Sequence, residues 1–196
     1  MTQKHIDRLK KKISDIKRTL AAEKRKFGGY DDSRGLRYAP TKYYIQLADY
    51  AGGLTYTKWF DKNFPDDAGF PSFLFEWTII LFKTGLTKEA EKKALQTFMS
   101  NTYLFDKFLE KDFLHFDKYE GSNLEKESLT KDFEYSKNDA ELNDFTDWLS
   151  LFVTSKKFYE IANEFISIEQ RLETEPVGRS RTALVNKLYS LLDKYV

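Results

Sequence analysis

Cysteine is absent from the 196-residue chain. That excludes a disulfide framework, a thiol nucleophile and a thiolate-ligated metal, and leaves the compartment open. Histidine is nearly absent, with only His5 and His115, so few acid–base schemes have a candidate. Glycine (9) and proline (4) are scarce, which argues against a disordered or low-complexity chain. Apolar runs are short: the longest, Thr78 to Phe82, is far below the roughly 20 residues a membrane span needs. Met1-Thr2-Gln3-Lys4-His5 leads into a charged amphipathic run rather than an apolar signal core, so a soluble cytoplasmic protein is expected. Net charge is also lacking. The 32 Lys and Arg against 31 Asp and Glu leave +1, so no global field calls for nucleic acid, and no membrane partner is expected. Glycine-rich phosphate loops and serine nucleophile elbows are missing as well.

Aromatic side chains are plentiful, with 17 Phe, 12 Tyr and 3 Trp, enough for a sizeable core without metal or cofactor. The charges are unevenly placed. Residues 1–26 hold ten Lys or Arg against three acids, whereas residues 110–147 hold twelve acids against five lysines. A basic helix facing an acidic surface of its own chain, or of a second copy, accounts for this as well as a nucleic-acid patch would.

Ile6, Leu9, Ile13, Ile16 and Leu20 are spaced three, four, three, four, which predicts an amphipathic helix over about residues 3–26, stopped by Gly28-Gly29. Two and a half heptads are too few for a free coiled coil. Docking of the stripe on the same chain and a monomer are expected, with a dimer through this helix as the alternative. Residues 30–38 read as a Gly-flanked polar loop. Its two acids, two arginines and two tyrosines suit either an anionic or peptide ligand or a structural loop with arginines paired to Asp31 and Asp32. Helices follow over about 40–49, 51–63 and 71–83, and the last of these is apolar on nearly all sides and so belongs at the centre of the core. Thr87 is expected to cap a further helix reaching Ser100. Residues 103–138 read as an irregular aromatic and acidic insertion with one or two short helices. Helices are expected over 139–154 and 156–172, and Ser180 is expected to cap a last helix carrying Leu184, Leu188, Leu191, Leu192 and Tyr195.

One pattern occurs twice. Ala48 and Gly85 are small residues where a first helix should end, and Gly53 and Ala90 are small residues five positions later, inside the next helix. Such spacing lets two antiparallel helices approach closely. These hairpins resemble tetratricopeptide repeats, whose unit is a helix pair of about 34 residues. Pro65 matches the family's proline after the second helix, and Tyr44 and Leu81 match its large residue near the end of the first. Trp77 falls where the family keeps an apolar residue. A weaker third copy lies on Phe145, Trp148, Leu149, Phe152, Ile161, Phe165 and Ile168. The sequence departs from the family in its 37-residue spacing from Ala48 to Gly85, which puts extra residues around Asp66 to Gly69. It departs again in Pro40 within the first helix and in Ile161 at a small-residue position. The wording of Asp31–Tyr38 and Phe75–Leu109 is also similar to a group of bacterial proteins labelled by that repeat, which implies no activity.

The expected fold class is therefore all-α, with stacked antiparallel hairpins of tetratricopeptide-like solenoid type, an N-terminal amphipathic helix and a C-terminal capping helix. Its expected segments are 1–29, 30–102, 103–138 and 139–196 in one compact domain. The resemblance implies a non-catalytic module holding a peptide or partner protein in a concave face made by the first helices. Lys42, Gln46, Glu76, Lys83 and Asp147 would face it, with Arg34 and Arg37 at its entrance. The alternative is an antitoxin, immunity or regulatory subunit meeting a basic protein through its acidic surface. An enzyme would require a buried polar cluster that the sequence alone does not locate. His115 with Asp112, Asp117 and Glu120 permits a metal site on spacing alone, and no metal is expected there. Asp66-Asp67 reads as a solvated turn.

Overall fold

The computed structural model describes residues 1–30 and 32–194; Asp31 and Tyr195, both named in the sequence reading, lie outside them. Helix makes up 72% of the described residues, which include no strand. No described helix is long and apolar enough to cross a membrane. The helices are α1 (Gln3–Phe27), α2 (Ala39–Gln46), α3 (Tyr50–Asn63), α4 (Pro71–Lys83), α5 (Thr87–Ser100), α6 (Leu104–Leu109), α7 (Asn143–Val153), α8 (Lys156–Thr174) and α9 (Arg179–Tyr189). Contacts cluster into two compact units, Met1–Ala90 and Glu91–Val196, a division inside α5 that the hairpin pattern does not mark.

The first unit is built around α4. Its residues Pro71 and Phe73 through Leu81 are all buried, as its continuous apolar sequence requires. α2 packs on both α3 and α4, and α3 packs on α4. Phe60, Phe73 and Trp77 form the aromatic centre, with Phe60 and Phe73 ring centroids 4.6 Å apart and Trp77 edge-on to both.

The repeated pattern has a concrete structural meaning. At the end of α2 the Ala48 N–H bonds Ile45 O (2.9 Å) and the Asp49 N–H bonds Tyr44 O (3.0 Å). At the end of α4 the Gly85 N–H bonds Phe82 O (2.9 Å) and the Leu86 N–H bonds Leu81 O (3.0 Å). Both are the paired bonds of a Schellman ending, with a left-handed residue at the same position: Ala48 at φ 52 and Gly85 at φ 77. Asp49 then caps α3, its Oδ1 accepting from the Gly52 N–H at 2.9 Å. A Cβ on Gly53 would lie 2.9 Å from Ile80 Cδ1 and 3.3 Å from Tyr44 Cβ, so three helices converge on that glycine. Ala90 is likewise fully buried.

α1 packs on α2 and on the 3-10 turn Leu36–Tyr38. Leu9, Ile13 and Leu20 of its stripe are buried, and Ile6 and Ile16 are half-buried. Ile13 joins a cluster with Tyr44 and Tyr56. The lysines beside the stripe use the same ring faces. Lys17 Nζ donates to Tyr44 Oη at 2.8 Å, and Lys12 and Lys24 lie over the rings of Tyr43 and Tyr30. Cation–π contacts of this kind hold charge and apolar stripe on one surface.

In the second unit α7 packs on α8 and α8 on α9. Phe145, Leu149 and Phe152 of α7 and Ile161, Phe165 and Ile168 of α8 are buried, and Trp148 is half-buried. The stretch before α7 contains α6 and 3-10 turns. The buried Asn101 anchors it, its Nδ2 donating to Leu124 O (2.7 Å) and Lys126 O (3.1 Å). Three local readings change. α7 begins at Asn143, four residues after the expected start, because Ala140–Leu142 is a 3-10 turn. α9 is capped at Gly178 rather than Ser180. Leu191 lies beyond α9, in the 3-10 turn Leu191–Lys194.

Candidate functional site

The segment between α1 and α2 folds as a closed polar knot. The Asp32 carboxylate, 1% exposed, accepts from the backbone N–H groups of Leu36 (2.8 Å) and Arg37 (2.7 Å). It thereby holds the 3-10 turn that opens α2, and Gly35 makes the bend at φ 66. Each guanidinium nitrogen of Arg37 has an internal acceptor. Nε donates to Asp67 Oδ2 (2.7 Å), Nη1 to Asp32 O (2.9 Å) and Oδ2 (3.2 Å), and Nη2 to Tyr38 Oη (2.9 Å). Tyr38 Oη in turn donates to Asp67 Oδ1 at 2.7 Å, and Tyr56 Oη donates to Arg37 O at 2.7 Å. Asp67 comes from the α3–α4 connection and also takes the Gly69 N–H (2.8 Å). The knot therefore ties the entry to α2 to the far end of the α3 hairpin.

Its electrostatics fix the protonation states. Burial pushes the Tyr38 hydroxyl up to about 12, and the Asp67 carboxylate adds to the rise. Burial opposes ionisation of Asp67, yet Tyr38, the Gly69 N–H and Arg37 together hold it below the usual carboxylate range. A neutral phenol, an ionised carboxylate and a permanent guanidinium leave no proton acceptor poised near neutrality. The arrangement positions backbone.

The sequence-named residues separate accordingly. Arg37 is consumed in the knot, whereas Arg34 is exposed. Lys42 is half-buried and Gln46 is exposed, four residues apart on α2. Lys83, half-buried at the end of α4, lies over the Tyr50 ring at 5.7 Å. Glu76 does not face a groove: it is 6% exposed and accepts a hydrogen bond from the buried Thr41 hydroxyl. Asp147 is exposed on α7, in the second unit. The structure thus brings Arg37 together with Asp32 and Asp67, and keeps Lys42 and Gln46 on one helix. Asp67 is the residue that sequence reasoning missed. Asp66 is exposed as a solvated turn residue should be, but the Asp67 side chain is only 12% exposed. The departure from a 34-residue period at Asp66 to Gly69 was the available signal.

In the second unit a further polar cluster lies inside the former insertion. Lys118, with its side chain 2% exposed, donates to Glu120 Oε1 at 3.3 Å. Tyr103 Oη donates to the same oxygen at 3.0 Å. Burial, then Glu120, push the Tyr103 hydroxyl up to about 12. His115 is largely exposed with Nε2 3.7 Å from Glu127, and no described group of three His or acidic residues could hold a metal ion. Glu110, Asp112, Asp117, Glu127, Asp132 and Asp147 are among the exposed acids of this unit. No protein-family model matches the chain, and no match is found among curated proteins or solved structures.

Proposed function

We propose that the chain is a non-catalytic interaction module of tetratricopeptide-like helix hairpins, which holds a peptide or partner protein on the first helices of its pairs. The observation that supports this most is the matched ending of α2 and α4, with Ala48 and Gly85 left-handed and Gly53 and Ala90 buried five residues on. A repeated hairpin unit of this kind presents its first helices side by side as an extended binding surface. The contact residues in this reading are Arg34, Lys42, Gln46 and Lys83. Arg37 and Glu76 leave the set, because their polar atoms already serve internal partners. A cytoplasmic monomer without cofactor belongs to the same reading, since the α1 stripe is covered by α2 rather than left for a second copy.

The exposed acids of the second unit, Asp147 among them, favour a second reading. In it the chain is an antitoxin, immunity or regulatory subunit whose negative surface meets a basic protein. Affinity capture from the native cell separates the two. Loss of the captured partner with Lys42→Glu and Gln46→Glu together, but not with Asp112→Lys and Asp117→Lys, supports the hairpin surface. The opposite pattern supports the acidic one.

A further inference from the structure

The second unit contains an open cavity of about 290 Å³, room for roughly ten water-sized groups and near the lower bound of small-molecule sites. Its walls are mainly apolar, from Phe98, Phe105, Phe116, Phe158 and Ile166. One polar group on the lining has unused capacity. The half-buried Asp106 carboxylate accepts one hydrogen bond among the described residues, from the Leu114 N–H at 3.1 Å, although an ionised carboxylate offers about four acceptor positions. The charged lining residues are Asp106, Asp112 and Lys111, so the site carries one net negative charge.

We infer that this cavity binds a small organic amine, an apolar one- or two-ring body whose protonated nitrogen is held by Asp106. The mainly apolar walls favour an apolar body over a sugar-like one. The net charge disfavours an anion. A wholly apolar ligand would bury the carboxylate further without a partner. An ammonium on an apolar body avoids this, because a charge-assisted hydrogen bond compensates the desolvated carboxylate. Burial already pushes the Asp106 carboxyl upward, with Lys111 only partly opposing this, so an incoming cation meets a carboxylate in need of one. The inference is independent of the partner surface proposed for the first unit.

Three shape-matched probes test it on the full-length protein by calorimetry and methyl NMR: tryptamine (cationic), 3-ethylindole (neutral) and indole-3-propionate (anionic). Tryptamine should bind at least tenfold more tightly than indole-3-propionate and shift the methyl signals of Leu109 and Ile166. Asp106→Asn should weaken tryptamine at least tenfold while leaving 3-ethylindole within about twofold. Ala162→Phe, or Val153→Phe should the first fail to fold, fills the cavity and should abolish binding of tryptamine and 3-ethylindole. Circular dichroism and melting curves verify that each variant is folded. Equal binding of the cationic and anionic probes, tryptamine binding unaffected by both Asp106→Asn and the filling variant, or no tryptamine binding would overturn the proposal.

Discussion

Ala48 and Gly85 occupy the same backbone position at two helix ends, yet only one of them is the residue that position favours. An L side chain at φ 52 is strained, whereas glycine at φ 77 is not. Ala48→Gly should therefore stabilise the protein by about 0.5–1 kcal/mol, and Gly85→Ala should destabilise it by at least as much. Paired denaturant titrations check both signs. Arg37 works differently, through three internal partners. Arg37→Met leaves Asp32 and Asp67 buried without their cation and should cost about 3 kcal/mol. Arg37→Lys should recover little, because an ammonium cannot span Asp32, Asp67 and the Tyr38 hydroxyl in the planar geometry of the fork. The same knot predicts acid sensitivity. Asp67 has a folded pKa below its unfolded value, so its contribution is present above pH about 4 and is lost as pH falls through the folded value. Stability curves from pH 7 to 2 should show a smaller acid-dependent loss in Asp67→Asn than in wild type.

At the scale of elements, the spacing of α1 makes its five stripe residues equivalent, and the packing ranks them. Leu20 is fully buried and Leu9 nearly so, whereas Ile16 is half-buried. Leu20→Ala should thus destabilise by about 3 kcal/mol and Ile16→Ala by about 1. Comparable losses at the two positions would mean that the helix sits in another rotation. The ends of α2 and α4 and the close approach of α3 were legible because such positions impose residue types: small residues at 48, 85 and 53. The covering of α1 was legible as docking, but not its surface. Charge asymmetry pointed to the acidic residues 110–147, while the stripe meets tyrosine rings of α2 and α3, whose faces accept lysine as readily as they accept isoleucine. Glu76 shows the converse limit. Its type and position suggested a groove wall, whereas its carboxylate is buried and takes a hydrogen bond from the Thr41 hydroxyl.

For the whole molecule, helical class followed from periodicity, whereas the division at Ala90 did not, because contact density is a property of non-local pairs that no local pattern records. The binding residues were the least legible part. A surface lysine and a lysine that stacks on a tyrosine look alike in sequence, and Arg37 lost its candidacy only when Asp67 came into reach. What remains as the central claim is that α2 presents its open side to a protein partner while the polar knot beside it is structural. A photo-crosslinking residue placed at Gln46 in the native cell tests this most directly, with the same residue at the exposed Lys58 of α3 as control. A discrete protein adduct from position 46 that is absent from position 58 is the predicted result. Adducts of equal yield from both positions, or none from position 46, would contradict it.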